Sequence, residues 1–286
     1  MRSNESKISR GWRLTTASWR LMRRDRTMIV LALIGTVCGL AGTALMLDVS
    51  GVFSGHNSRG QFAGTALLFL YPLTFVSVFF NVALTAAAAA GLEGRQIGIA
   101  AALGESWKRV GRIAGWALLA TIVGILLEQI VSRIPGAGRV VSWLMGAAWA
   151  LCTIFAVPLL VVEEAGPLDA ARGSVRLIRS KWGEGLTGLV SISAWTVVVM
   201  LPVGILFGIG LSLTAQETVS QGSGAGIVLI ALSAVAFVVV GAFANATRQV
   251  FNLALYRYAT GLETTGFAAA DLEEPFKRKR SHRDGD

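Results

Sequence analysis

Residues 157–182 read VPLLVVEEAGPLDAARGSVRLIRSKW. An apolar segment ends on Glu163 and Glu164, turns through Gly166 and Pro167, and passes into a basic amphipathic stretch before the next apolar run begins. Glycine followed by proline marks a change of direction, because proline has no amide hydrogen and its ring clashes with a preceding helical turn. The same join of apolar span, acidic residue, basic elbow and new span recurs along the chain. It predicts an all-α, polytopic membrane protein.

Composition agrees. The 286 residues are 53% hydrophobic and only 15% charged, with a mean hydropathy of +0.61, far from the balance of a water-soluble domain. A formal net charge of +9 would raise the question of nucleic acid, but the basic residues sit between and beside the apolar runs, which points to membrane lipid instead. Cys38 and Cys152 are isolated inside apolar runs, and the two histidines, His56 and His282, lie in a polar loop and a charged tail. These are too few parts for a disulfide framework, a metal centre or a histidine-based triad, so neither metal nor cofactor is expected.

A membrane helix needs about 20 mostly apolar residues to cross a hydrocarbon core of about 30 Å. Six stretches qualify, at 27–47, 62–90, 113–130, 140–162, 186–213 and 226–251. The first exceeds the roughly 7 to 15 apolar residues of a signal peptide, so it reads as an uncleaved helix. Lys and Arg concentrate in the N-terminal arm, in the second and fourth connections and in the C-terminal part, whereas the odd connections hold only Arg59, Arg133 and Arg139. The excess of Lys and Arg in cytoplasmic loops then predicts a plasma-membrane protein with both termini cytoplasmic. Residues 1–264 form one membrane domain in this reading, and 265–286 a charged tail of disordered composition.

Three basic connections share a helical pattern. Ile8, Trp12, Thr15, Trp19 and Met22 recur at helical spacing opposite Arg13, Arg20 and Arg24. Ile99, Leu103, Trp107 and Val110 do so against Lys108, Arg109 and Arg112; Leu168, Ala171, Val175, Ile178 and Trp182 do so with Arg172, Arg176 and Arg179 along the edge. Such faces predict interfacial helices whose tryptophans sit at headgroup depth and whose cations reach anionic phosphates. The elbows match in letters too, as Ser18-Trp19-Arg20, Ser106-Trp107-Lys108 and Ser174-Val175-Arg176, and Phe80-Asn81-Val82-Ala83-Leu84 echoes Phe251-Asn252-Leu253-Ala254-Leu255. The expectation is three repeats of elbow plus helical hairpin, at about 8–92, 97–164 and 166–262.

Ser9-Arg10-Gly11-Trp12 with Ser18-Trp19, the central VPLLVVEEAGP and the late FNLALYRYATG together resemble an uncharacterised family of bacterial six-span membrane proteins. That family is itself distantly like the membrane domain attached to some glycerophosphodiester phosphodiesterases. The resemblance spans nearly the whole chain except the extreme C-terminal tail. It implies a bacterial plasma-membrane protein of six spans and supplies no activity or site residue.

Few motifs suggest chemistry. Glu163-Glu164 begins like the EExxxR signature of intramembrane prenyl-protein proteases, but Leu168 stands where the arginine belongs and the intramembrane histidines are missing. Glu93, Glu163 and Glu263 each end an even span, where a carboxylate opposes the helix dipole by about 0.3 to 1 kcal/mol; such a recurrence predicts basic partners. Asn245, Arg248, Gln249, Asn252 and Tyr256 form one polar stripe on the sixth span, read either as the lining of a path or as helix-to-helix bonding near the interface. Gly35 with Gly39, Gly111 with Gly115 and Gly204 with Gly208 predict close helix packing. Pro72, Pro158 and Pro202 predict bends.

The sequence thus points to a non-enzymatic membrane component binding anionic lipid, or an unidentified membrane protein partner, at its cytoplasmic face. Trp12, Trp19, Arg20, Trp107, Lys108, Arg172, Arg176, Arg179 and Trp182 are the candidate lipid-interface residues. The alternative is a small-solute or lipid transporter, with Asn245, Arg248, Gln249 and Asn252, and Glu128-Gln129 of the third span, as polar lining.

Overall fold

The computed structural model describes residues 25–49, 62–133, 138–181, 186–215 and 224–262. Among these the chain is helical and without strands. In order come α1 (Arg26–Val49), α2 (Phe62–Leu92), α3 (Ile99–Lys108), α4 (Val110–Ser132), α5 (Gly138–Cys152), α6 (Ala156–Val162), α7 (Pro167–Lys181), α8 (Leu186–Ala215) and α9 (Gly224–Thr260). Among the described residues five helical segments are long and apolar enough to cross a membrane: Arg26–Met46, Leu70–Leu92, Val110–Val131, Thr196–Thr214 and Gly224–Arg257. The chain is a helical membrane protein.

The fourth apolar stretch is not one helix. Thr153 turns its hydroxyl back onto the Trp149 and Ala150 carbonyls at 2.9 and 3.4 Å, the chain passes through a turn, and α6 restarts with Pro158 in its first turn. Proline is tolerated there because a first-turn amide has no partner inside its own helix. Phe155, the residue before α6, donates its amide to Ser174 Oγ of α7 at 3.1 Å. Pro72 and Pro202, by contrast, lie inside unbroken helices.

The long α2 is the centre of the packing. It touches α1, α3, α4, α6 and α9, and its last three turns, an alanine-rich run ending at Leu92, are largely buried. The core gathers around that end: Met28 and Leu31 of α1, Ile113 and Trp116 of α4, Phe155 through Val161, and the last four turns of α9. Trp116 stacks on Trp149 at 6.4 Å and joins α4 to α5. Elsewhere the helices expose leucine, isoleucine and valine, above all on α8, which packs against α9 and has only 6% of its membrane window buried. Such a surface suits hydrocarbon and not water.

Small residues set two approaches. A Cβ on Gly35 would fall 2.9 Å from Phe80 of α2, and one on Gly115 would fall 2.7 Å from Pro167 of α7. Gly39, Gly111, Gly204 and Gly208 face open space, so the expected glycine pairs act as single contacts or not at all. The α8–α9 hairpin closes at Gly210 and Gly226 instead, where an added Cβ would meet the opposite backbone at about 3.2 Å.

Candidate functional site

The two described elbows, α3 and α7, pack in the same way. Each buries a serine. Ser106 Oγ donates to the Phe79 carbonyl of α2 at 3.0 Å, and Ser174 Oγ accepts the Phe155 amide. The buried line of α3 is Ala102 and Ser106, and that of α7 is Ala170 and Ser174. Both are rotated from the aliphatic faces read in the sequence, so that Trp107 is 68% and Leu168 56% exposed. The reason is steric and polar together: alanine and serine admit a close helix, and the hydroxyl satisfies a main-chain group where a leucine could not. Trp107 lies edge-on to Phe79 at 6.4 Å.

This rotation leaves the cations outward. Arg172, Arg176 and Arg179 of α7 are exposed and, with Ala171 and Val175, line one shallow groove of about 600 Å³. Asp169 approaches Arg172 at 3.7 Å; among the described residues no carboxylate approaches Arg176 or Arg179. Lys108 is also exposed and reaches Glu105 at 2.7 Å. Trp12, Trp19, Arg20 and Trp182 lie outside the described residues.

Beneath the elbows runs a set of ion pairs. Glu105 receives Lys108 at 2.7 Å and Arg109 at 2.6 Å, and these bonds hold its carboxyl below the usual range, Lys108 contributing most. Arg109 and Arg112 reach Glu164 at 3.4 and 3.1 Å. Glu93 lies 2.6 Å from Arg95 and 3.1 Å from Arg257 of α9, and first Arg95, then Arg257, hold its carboxyl low. Glu163 accepts the buried Tyr256 hydroxyl at 2.6 Å. Partners therefore exist at both described span ends, but at the second the elbow arginines meet Glu164, with its neighbour Glu163 turned to α9. Glu263 lies outside the described residues.

The stripe on α9 divides. Asn245 donates to Asn81 of α2 at 2.9 Å, and Gln249 accepts the Thr85 hydroxyl at 3.5 Å. Asn252 is buried, while Arg248 is exposed. Asn81 and Asn245 also border a cavity of about 350 Å³ between α1, α2 and α9. Nothing in the sequence marked this cavity except the glycines at 35 and 39, whose spacing places both on one helical face.

The chain belongs to a family of unknown function, DUF6159, which matches residues 62–267 and so takes in α2 through α9. The comparisons lend no support to the expected distant likeness to the membrane domain of glycerophosphodiester phosphodiesterases. No curated protein and no solved structure matches the chain.

Proposed function

We propose that this chain is a non-enzymatic component of the bacterial plasma membrane that holds anionic lipid headgroups, and through them or beside them a membrane protein partner, at its cytoplasmic face. The observation that carries the reading is the groove of α7, where three exposed arginines stand over Ala171 and Val175. Arginine donors in a fixed fork match phosphate geometry, and cations at the membrane surface are attracted by about 1 kcal/mol each to an anionic leaflet.

Six crossings fit this reading. The 15 residues of α5 cover about 22 Å, short of the core of about 30 Å, and α6 supplies the remainder as the inner part of a broken fourth span. An even number of crossings puts both termini on the side of the basic elbows. Three repeats are supported by the paired serines Ser106 and Ser174, and by left-handed residues closing α2, α6 and α9 at Gly94, Glu164 and Gly261. In vesicles, a thiol-reactive probe added outside should label Arg133→Cys and spare Asp169→Cys; the opposite pattern reverses the orientation.

The test of function is binding to phosphatidylglycerol against phosphatidylcholine vesicles. Replacing Arg172, Arg176 and Arg179 together by Gln should lower the preference for the anionic vesicle by one to two orders of magnitude, at about 1 kcal/mol per arginine. An unchanged preference would sink the proposal. The cavity beside Asn245 favours a second reading, a small-solute or lipid transporter, and solute flux abolished by Asn245→Ala would establish it in place of the first.

A further inference from the structure

We infer that the groove between α1, α2 and α9 is a binding site for one acyl chain of a membrane lipid, separate from the arginines of α7. It runs along α1 from Leu31 to Thr43, about 18 Å at 1.5 Å per residue. One leaflet's share of a core of about 30 Å is about 15 Å, so the length suits a single chain. The volume of about 350 Å³ falls at the low end of the range for small-ligand sites.

The groove exists because side chains are missing. Ala32, Gly35, Gly39 and Gly241 form part of its wall, and a Cβ on Gly39 would meet nothing within 4 Å. Its rim continues into the face of α1 that carries Ile34, Val37 and Leu40, all exposed in a helix built to cross a membrane. The space is thus bordered by a surface that suits hydrocarbon.

Apart from Ser77, the groove's hydroxyls and its amide pair argue against a water-filled path. Thr36 and Thr43 donate to the Ala32 and Gly39 carbonyls of their own helix, each at 2.8 Å, and Asn245 donates to Asn81. A solute path needs polar groups aimed at its contents. Here the donors just named are turned to protein, and what remains is narrow, long and mostly apolar. The amide pair lies in the Leu31 half of the groove, level with Gly35 and Phe80, about 14 Å along α1 from Arg26 at 1.5 Å per residue, a depth that holds acyl chain and not headgroup.

The test uses the full chain in phosphatidylglycerol vesicles doped with the same lipid carrying a photoreactive diazirine on its acyl chain. After irradiation, adducts should concentrate on the groove-facing residues of α1 and α2, such as Thr36, Leu73 and Ser77, and Gly39→Leu should abolish them. Gly124→Leu, at another open glycine on α4, should leave them in place. Adducts no denser there than on Val197, Leu201 and Ile205 of α8 would overturn the proposal, as would a map unchanged by Gly39→Leu. A second measurement needs no groove-filling variant. Ser77→Cys, with Cys38 and Cys152 replaced by Ala, should resist a water-soluble maleimide in intact vesicles; rapid reaction would mean an aqueous path and overturn the site. Neither arm depends on headgroup binding at α7, so the two proposals fail separately.

Discussion

Arg257 of α9 donates to Glu93 at the end of α2 across 3.1 Å, and the two residues stand 164 positions apart in the chain. Asn245 with Asn81 and Gln249 with Thr85 repeat the same separation of 164. Steps of four along both helices therefore stay in register over three turns, which requires α2 and α9 to run parallel along their i, i+4 rows. Two helices far apart in sequence are joined by a polar seam that ends in an ion pair at the edge of the core.

Glu93 is 41% exposed, so solvent screens the pair, and Glu93→Gln should cost at most about 1 kcal/mol. Arg257, at 13% exposure, also packs its stem and approaches the Ala89 carbonyl at 3.5 Å; Arg257→Ala should cost more, about 1 to 3 kcal/mol. The carboxyl of Glu93 is held below its ordinary value of about 4.3, so its contribution is complete above that pH and fades as pH falls through the lower folded value. Thermal unfolding in detergent should separate wild type from Glu93→Gln at neutral pH and bring them together as pH falls through the lowered folded value. A gap that widens on acidification would contradict the assignment.

The Asn245–Asn81 bond should be worth little by comparison. Side-chain bonds between membrane helices average about 0.6 kcal/mol, because the separated helices also find partners. Asn245→Ala is expected to lower stability by about that amount, read by the same unfolding assay, and a loss above about 2 kcal/mol would mean that the seam holds something besides this pair.

Unequal costs are expected at the two elbow serines. Ser174→Ala removes the acceptor that the buried Phe155 amide meets at 3.1 Å, at a cost of about 1 to 3 kcal/mol. Ser106→Ala removes only a second donor from the Phe79 carbonyl, which lies mid-helix and keeps its helical bond, at about 0.5 to 1.5 kcal/mol. Amide exchange at Phe155 should accelerate in the first variant alone. Equal effects would mean that the serines act through packing.

Long apolar runs were readable because a membrane span is dictated by length and hydropathy, which a window of residues carries by itself. Pro158 marked a bend in the fourth stretch, but a full break at Thr153 was not readable, since the Phe155 amide there meets Ser174 Oγ, 19 residues further on. The two described elbows are amphipathic helices as their periodicity implies, but their buried faces are turned by about one residue: apolar periodicity favours Leu168 and Trp107, whereas close packing selects alanine and serine. Asn245 was legible as polar within a span, yet its partner Asn81 lies on another helix and could be found only in three dimensions.

Glu164 offers the sharpest balance of opposed effects. It closes α6 with φ at 52°, in the left-handed region that Gly94 and Gly261 occupy just past the ends of α2 and α9. A side chain there costs about 1 to 2 kcal/mol relative to glycine. Glu164 tolerates the strain while its carboxylate reaches Arg109 and Arg112, linking the end of α6 to the start of α4. Glu164→Gly relaxes the backbone and removes the link, and with the carboxylate 56% exposed the link is worth at most about 1 kcal/mol, so stability should stay level or rise slightly. Glu164→Ala keeps the strain, loses the link, and should unfold at a lower temperature than either. Glu164→Gln keeps the strain and should fall between wild type and Ala if its amide still meets Arg112. Were Ala as stable as Gly, the left-handed conformation at this position would carry no cost.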